Sequence, residues 1–339
     1  MAKTIVVDFR KALNATDDGK KRHVLLGNGF SRAWRDDIFS YQALYDQAEM
    51  SGLSKDARKA FEALDTTDFE QVMRMLKQAA KLARQYNRPK LADILDGHGD
   101  EIREVLVSTI ADNHPERPHD VTARQYAACK RFLSHFDSVY TVNYDLLLYW
   151  ALMQDEIEPF VECDDGFRQP DDGPAKYVTW DVQKTDKQKI HYLHGALHLF
   201  DAGSELQKYI WSNTQIALID QIRKALKKDK YPLFVSEGSA DSKMNRIQHS
   251  GYLNRSYRSF AKIGGSLFVY GLSMAENDEH ILKLIDHGGF KNIAIGLYGP
   301  PTSPGNRRII ERAQAFGTMR KGPPPKIMYF DAQSAQVWG

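Results

Sequence analysis

Cysteine is almost missing from this sequence: Cys129 and Cys163 are the two thiols in 339 residues. Two thiols cannot build a four-cysteine zinc site or a disulfide framework, and a chain able to form a large core needs no staples, so a reducing compartment is expected. Long apolar runs are missing as well. No stretch approaches the roughly 18 residues of a membrane-spanning helix, and Met1–Arg10 has no basic segment followed by a signal-length apolar run. The expectation is a soluble cytoplasmic protein that does not bind membranes. An excess of either charge is also lacking, since 46 Lys plus Arg face 44 Asp plus Glu for a net +2. No whole-molecule field is then available to hold a polyanion, and direct nucleic-acid binding is not expected. The densest basic run, Arg223–Lys230, reads as the solvated end of a helix. No internal repeat or low-complexity tract is visible.

What is present is a globular composition, 42% hydrophobic, in a chain long enough for one large domain or two ordinary ones. Short apolar runs punctuated by glycine mark candidate strands at His23–Leu26, Ser138–Val142, Lys189–Leu193, Leu233–Ser236, Leu267–Tyr270 and Asn292–Leu297. They alternate with helical stretches, and runs such as Leu267-Phe268-Val269-Tyr270 are nearly unbroken, as expected when helices cover both faces. This predicts an α/β fold, a Rossmann-like doubly wound parallel sheet, in a single domain. From about residue 36 to 127 the apolar positions fall near helical spacing, as in Phe69, Val72, Met73 and Leu76. That block reads as a helical insertion after the first strand, placed beside whatever the following turn binds, with Met73 and Met75 as core filling. Glu156–Asp186, rich in Asp, Gly and Pro, reads as an excursion or lid.

Four short motifs stand at strand ends. The first is Gly27-Asn28-Gly29-Phe30-Ser31 after Val24-Leu25-Leu26. Glycines there let backbone approach a phosphate, and free N–H groups at a helix start favour the anion. The turn lacks the third glycine of the dinucleotide fingerprint, so a merely tight strand-to-helix turn is the equal alternative. The second, Thr141-Val142-Asn143-Tyr144-Asp145, lies where ligands of open parallel sheets gather, but Asn143 or Asp145 could simply cap the next helix. The third, His194-Gly195, offers a group that titrates near neutrality beside a residue that leaves room for a substrate; a hydrogen-bonded structural histidine is the bland alternative, and His191 and His198 are assigned to that class. The fourth is Gly271-Leu272-Ser273, followed by Glu276-Asn277-Asp278-Glu279-His280 opening a helix, where N–H groups and a hydroxyl could meet a nucleotide or Ser273 or Asn277 could be a cap.

In order and content these motifs resemble the sirtuin-like family of NAD-consuming enzymes, especially its zinc-free bacterial branch linked to anti-phage defence. Gly27-Asn28-Gly29-Phe30-Ser31 is similar to the family's Gly-Ala-Gly-x-Ser turn, with Asn for Ala. Thr141-Val142-Asn143-Tyr144-Asp145 is similar to Thr-Gln-Asn-x-Asp with Val for Gln, His194-Gly195 to the catalytic His-Gly pair, and Gly271-Leu272-Ser273 to the later Gly-Thr-Ser turn.

The resemblance implies that Gly27, Asn28, Gly29, Phe30 and Ser31 form the cofactor-binding turn, with Gly27, Gly29 and Ser31 on the pyrophosphate. A bulky residue at Gly29 is then expected to weaken NAD binding while leaving the sheet folded. The same resemblance puts Asn143 on the nicotinamide ribose and a water, Asp145 on the nicotinamide carboxamide, His194 as general base, and Gly271 and Ser273 on the adenosine or phosphate side. The loop that closes over the cofactor falls to Arg32–Tyr41. Deacylating sirtuins carry a four-cysteine zinc module between the last two motifs; Leu197–Gly265 has no cysteine, so no metal site and no zinc are expected, and deacylation is disfavoured. The implied activity is that of an NAD glycohydrolase, an NADase with water as acceptor, that depletes NAD. A non-catalytic sensor of NAD or an ADP-ribose derivative is the main alternative. A regulatory protein or self-association is a further expectation as a gate, with no residue attached to it.

Overall fold

The run Arg22–Leu26 forms a strand whose alternate side chains enter different cores: Val24 and Leu26 join one apolar cluster and Leu25 another. A strand buried on both faces has to lie inside a sheet covered by helices on each side, and that is the architecture found. The computed structural model describes residues 4–339 apart from 171, 172, 174, 212–215, 229, 236–239, 319 and 321. In chain order the strands are β1 (Val6–Val7), β2 (Arg22–Leu26), β3 (Ser138–Thr141), β4 (Phe167–Arg168), β5 (Tyr177–Trp180), β6 (Ile190–Tyr192), β7 (Leu199–Asp201), β8 (Leu206–Tyr209), β9 (Gly264–Tyr270), β10 (Gly289–Leu297) and β11 (Lys326–Asp331).

Seven of them make one all-parallel sheet in the order β1-β11-β10-β9-β2-β3-β6. From β2 the chain winds outward through β3 to β6, then returns to β9 on the other side of β2 and winds the opposite way through β10 to β11. The sheet is therefore doubly wound and Rossmann-like, with its switch point between β2 and β9. In such sheets the crevice beyond the carboxyl ends at the switch point is where ligands bind.

Residues 36–127 contain helices and no strand, the longest being Phe69–Gln85 and Pro89–Asn113. Local chemistry sets the boundaries: Ser40 and Ser54 accept the N–H of Ala43 and Ala57 at helix starts, and Pro89 opens the longest helix, where its missing N–H costs nothing. Met73 is buried, but Met75 is 39% exposed, so the expected core pair reduces to Met73.

A second sheet, antiparallel and ordered β4-β5-β8-β7, lies outside the sequence expectation. Two of its strands, β4 and β5, come from the stretch read as an excursion or lid. Strands of two to four residues among Asp, Gly and Pro are too short to display alternation. The expected strand at Leu233–Ser236 is corrected: Phe234 makes a single antiparallel bridge to Gly195, and Ser236 lies outside the described residues. Among the described residues no helix is long and apolar enough to cross a membrane.

Candidate active site

The two glycine turns at the switch point are joined by their backbones. The Gly27 N–H donates to the Tyr270 carbonyl at 2.9 Å and the Gly29 N–H to the Gly271 carbonyl at 2.8 Å. A Cβ on Gly29 would stand 2.5 Å from Gly271 Cα, and one on Gly27 would stand 2.6 Å from Gly271 O. Gly271 also has φ +71°, a left-handed conformation that side chains disfavour. Close approach of one turn to the other therefore demands these glycines.

The same bonds correct the expected phosphate cradle. Gly27 and Gly29 have given their N–H groups to the neighbouring turn, while Phe30 and Ser31 donate to the carbonyls of Gly27 and Asn28. The helix that follows, Gly29–Arg32, is only four residues long. The expectation that a bulky residue at Gly29 spares the fold is also overturned, because such a residue would have to displace backbone.

Beneath the turn, three polar side chains form a chain of hydrogen bonds. Asn143, just past β3, donates from Nδ2 to Ser31 Oγ at 3.0 Å, and Ser31 Oγ donates to Asp145 Oδ2 at 2.5 Å. Asp145 Oδ1 accepts the Leu147 N–H at 2.9 Å, so Asp145 also satisfies the start of the helix Leu147–Leu152, and the capping alternative is partly realised. Burial pushes the Asp145 carboxyl above its usual range, opposed by the Ser31 and Leu147 hydrogen bonds.

His194 follows β6. Its Nε2 lies 2.8 Å from Nε2 of His280, in the first turn of the helix Glu279–His287, and the two rings are nearly parallel, 20° between planes, and meet edge to edge with centroids 5.0 Å apart. Burial, aided by the nearby Lys243 ammonium, holds His194 well below its ordinary pKa and pushes His280 down to about 3. Lys243 is itself fully buried, 3.6 Å from Asp278. Gly195 has φ +80°, and a Cβ there would overlap the Leu233 carbonyl. The room beside His194 thus belongs to the segment 233–235, whose Val235 N–H donates to the His194 carbonyl at 2.8 Å, rather than to a substrate. His191 stacks on Tyr140 and His198 packs against Tyr149 and Tyr192, both away from the cavity.

These elements enclose one cavity of about 760 Å³ at the carboxyl edge of the sheet, within the ordinary range for small-molecule and cofactor sites. Asn28, Gly29, Gly271 and Ser273 line its middle, over the switch point. On the β3 and β6 side it is lined by Asn143, Asp145 and His194; Phe39, Leu106 and Ile110 of the helical stretch also line it, and Asn28 Nδ2 donates to the Phe39 carbonyl at 3.0 Å, so that stretch does sit beside the turn. On the β10 and β11 side the lining includes Tyr298, Asn306 and Arg308 near the start of the helix Pro304–Gln314, with Gln333 and Trp338. Gly27, Phe30 and Ser31 do not line it; Ser31 is fully buried and acts from below, and the Phe30 carbonyl accepts Trp338 Nε1–H at 2.8 Å. Arg32, Asp36 and Phe39, within the stretch assigned to the closing loop, do line it.

The family model described as a domain of unknown function, DUF4917, matches residues 24–338. The chain belongs to the DUF4917 family. No curated protein matches it. The DUF4917 span takes in both glycine turns, Asn143, Asp145, His194, His280 and every lining residue of the cavity except Gly339. Several of these DUF4917 residues escaped the sequence reading. His280 carried one available signal, its place in the helix opened by the fourth motif. Lys243, Asn306, Arg308 and the segment 332–338 carried none, since only the winding of β10 and β11 brings the last three to this edge. Among the described residues no cluster of His, Cys, Asp and Glu is arranged to hold a metal ion.

Proposed function

We propose that this cavity binds NAD and that the protein hydrolyses its nicotinamide-ribose bond, giving nicotinamide and ADP-ribose. The observation that carries the reading is the cavity's course across the switch point, with the Asn143, Asp145 and His194 arm on one side and the Asn306 and Arg308 arm on the other. An elongated two-part ligand such as a dinucleotide suits that division. Gly29 and Gly271 contribute a floor without side chains, over which a pyrophosphate can cross, and Asn28, Ser273 and the Arg32 and Arg308 guanidinium groups supply donors at or near it.

In this reading the nicotinamide half lies in the Asn143 arm. Asn143 keeps its Oδ1 and one N–H for a ribose hydroxyl or water, because only one of its donors is spent on Ser31. Each Asp145 oxygen keeps a lone pair for the carboxamide N–H. The C–N bond breaks with its electron pair leaving on the ring nitrogen, which becomes neutral, while a water oxygen bonds to the ribose carbon. That water becomes strongly acidic as it bonds, so His194 can take its proton although burial makes the imidazole a weak base. Orientation and stabilisation of developing charge are what the site has to supply, because the cationic ring is already a good leaving group.

The low basicity of His194 and its engagement with His280 favour a second reading, a module that binds NAD or an ADP-ribose derivative without cleaving it. Incubation with NAD, with nicotinamide and ADP-ribose separated by chromatography and binding followed by calorimetry, distinguishes the two. Nicotinamide release supports hydrolysis, and binding without release under any activating condition supports the sensor.

A further inference from the structure

We propose that Tyr298 is a base-stacking residue, its ring the platform on which the purine of an adenine nucleotide lies in the β10 and β11 arm of the cavity. That this base is the adenosine half of NAD rests on the functional reading above; the platform itself does not.

Tyr298 directly follows β10 and lines the cavity, yet it is 74% exposed. Among the described residues its ring meets no other ring and its hydroxyl has no hydrogen-bond partner. A tyrosine that served the fold would bury the ring or satisfy the hydroxyl.

A single exposed aromatic on a loose loop would carry no meaning, but the turn beneath this one is fixed. Asn306, 5% exposed, donates from Nδ2 to the carbonyls of Tyr298 at 2.9 Å, Gly299 at 3.4 Å and Pro300 at 2.9 Å. Ser303 accepts the Asn306 N–H at 3.3 Å and donates its own N–H to the Pro300 carbonyl at 3.0 Å. Pro300 and Pro301 restrict the backbone further, and Gly299 supplies the left-handed φ of +74° that the turn needs. With its carbonyl turned onto Asn306, what Tyr298 adds to the cavity is its side chain. A ring held out on a rigid turn loses little freedom when a ligand covers it.

The surroundings say what would cover it. A flat aromatic face takes another flat π system, and every nucleobase has one. In the same arm Gln333 and Gln336 line the cavity, and among the described residues their side-chain amides have no hydrogen-bond partner. A primary amide offers one acceptor and a donor side by side, which matches the amino group and ring nitrogen on the edge of adenine. Arg308 brings a cation for the phosphate that a nucleotide carries. A bare anion would leave the ring and the amides unused, and a purely apolar ligand would leave the amides and Arg308 unused.

Calorimetry of the full chain with ADP, ADP-ribose and inorganic pyrophosphate tests this. Tyr298→Ala should weaken ADP and ADP-ribose about tenfold or more, whereas Tyr298→Phe should change them by under about twofold, because the stack uses the ring and not the hydroxyl. Any affinity for pyrophosphate should be the same in Tyr298→Ala as in the wild type. The side chain is exposed, so both variants should fold, and their thermal midpoints check that. The proposal is overturned by an ADP affinity that Tyr298→Ala leaves unchanged, by an equal loss in Tyr298→Phe, by a parallel loss for pyrophosphate, or by a wild type that binds neither ADP nor ADP-ribose at millimolar concentration. If the wild type releases no nicotinamide from NAD, the hydrolase reading fails and the ADP series still decides the role of Tyr298. Nicotinamide release together with an ADP affinity indifferent to Tyr298 would keep the hydrolase and remove the platform.

Discussion

Gly29 and Gly271, far apart in the sequence, meet backbone to backbone: the N–H of Gly29 donates to the carbonyl of Gly271 at 2.8 Å, and each glycine's absent side chain is the space the other occupies. The two halves of the doubly wound sheet are joined at that contact, directly under the cavity.

Gly29→Val should therefore be a folding mutation. The new Cβ would meet Gly271 Cα at 2.5 Å, which forces backbone apart, and a loss of about 3 kcal/mol or more is expected. Urea unfolding of the purified variant measures it. A change of under about 0.5 kcal/mol, the range of an innocuous surface substitution, would mean that the turns are not packed as described.

Ser31→Ala removes a hydroxyl that serves two buried partners at once, the Asp145 carboxylate and the Asn143 amide. Leaving a buried charged group short of its donor should cost about 2–4 kcal/mol in the same unfolding experiment. Asn28, whose side chain lies at the cavity and reaches the Phe39 carbonyl at 3.0 Å, is the comparison: Asn28→Ala should cost about 1 kcal/mol, the ordinary value of one hydrogen bond.

The central parallel strands were legible because Val24-Leu25-Leu26 and Leu267-Phe268-Val269-Tyr270 are apolar on both faces, and the glycine turns stood out at their ends. The second sheet was not, since Phe167–Arg168 is too short to carry a period and Tyr177–Trp180 follows a stretch rich in Asp and Gly. In the site, the motifs led to Asn143, Asp145 and His194, which the fold brings to one cavity. They also led to a wrong physical role for Gly27 and Gly29: glycine at a strand end allows close approach, but sequence does not say whether a phosphate or another backbone makes it. Lys243 and Arg308 reach the site through tertiary winding, which no local pattern encodes, whereas His280 stands in the helix that the fourth motif opens.

Acid should unfold this protein steeply. His23, His114, His191, His194, His198 and His280 are buried, and burial holds each below the ordinary histidine pKa, His23 and His114 at about 4 and His191 and His280 at about 3. The unfolded chain then binds more protons than the folded one below about pH 6.5, so stability is full above that value and falls as pH drops toward the folded pKa values. Each histidine can contribute up to about 1.4 kcal/mol per pH unit, enough in sum to exhaust an ordinary folding stability within about two units. Urea midpoints measured from pH 7.5 to 5 should decline with increasing slope; a flat profile would mean that these imidazoles are solvated.

The most direct test of the account is nicotinamide release from NAD by the wild type, Asn143→Ala and His194→Ala, followed by chromatography beside calorimetric NAD binding and repeated with candidate activators. Neither substitution touches the joined turns or Arg308, which also line the cavity, whereas the proposed hydrolysis has Asn143 and His194 acting where charge develops. The account predicts release by the wild type and a fall of about a hundredfold or more in each variant, with affinity largely kept. Release that survives both substitutions would contradict it by putting the chemistry elsewhere in the protein.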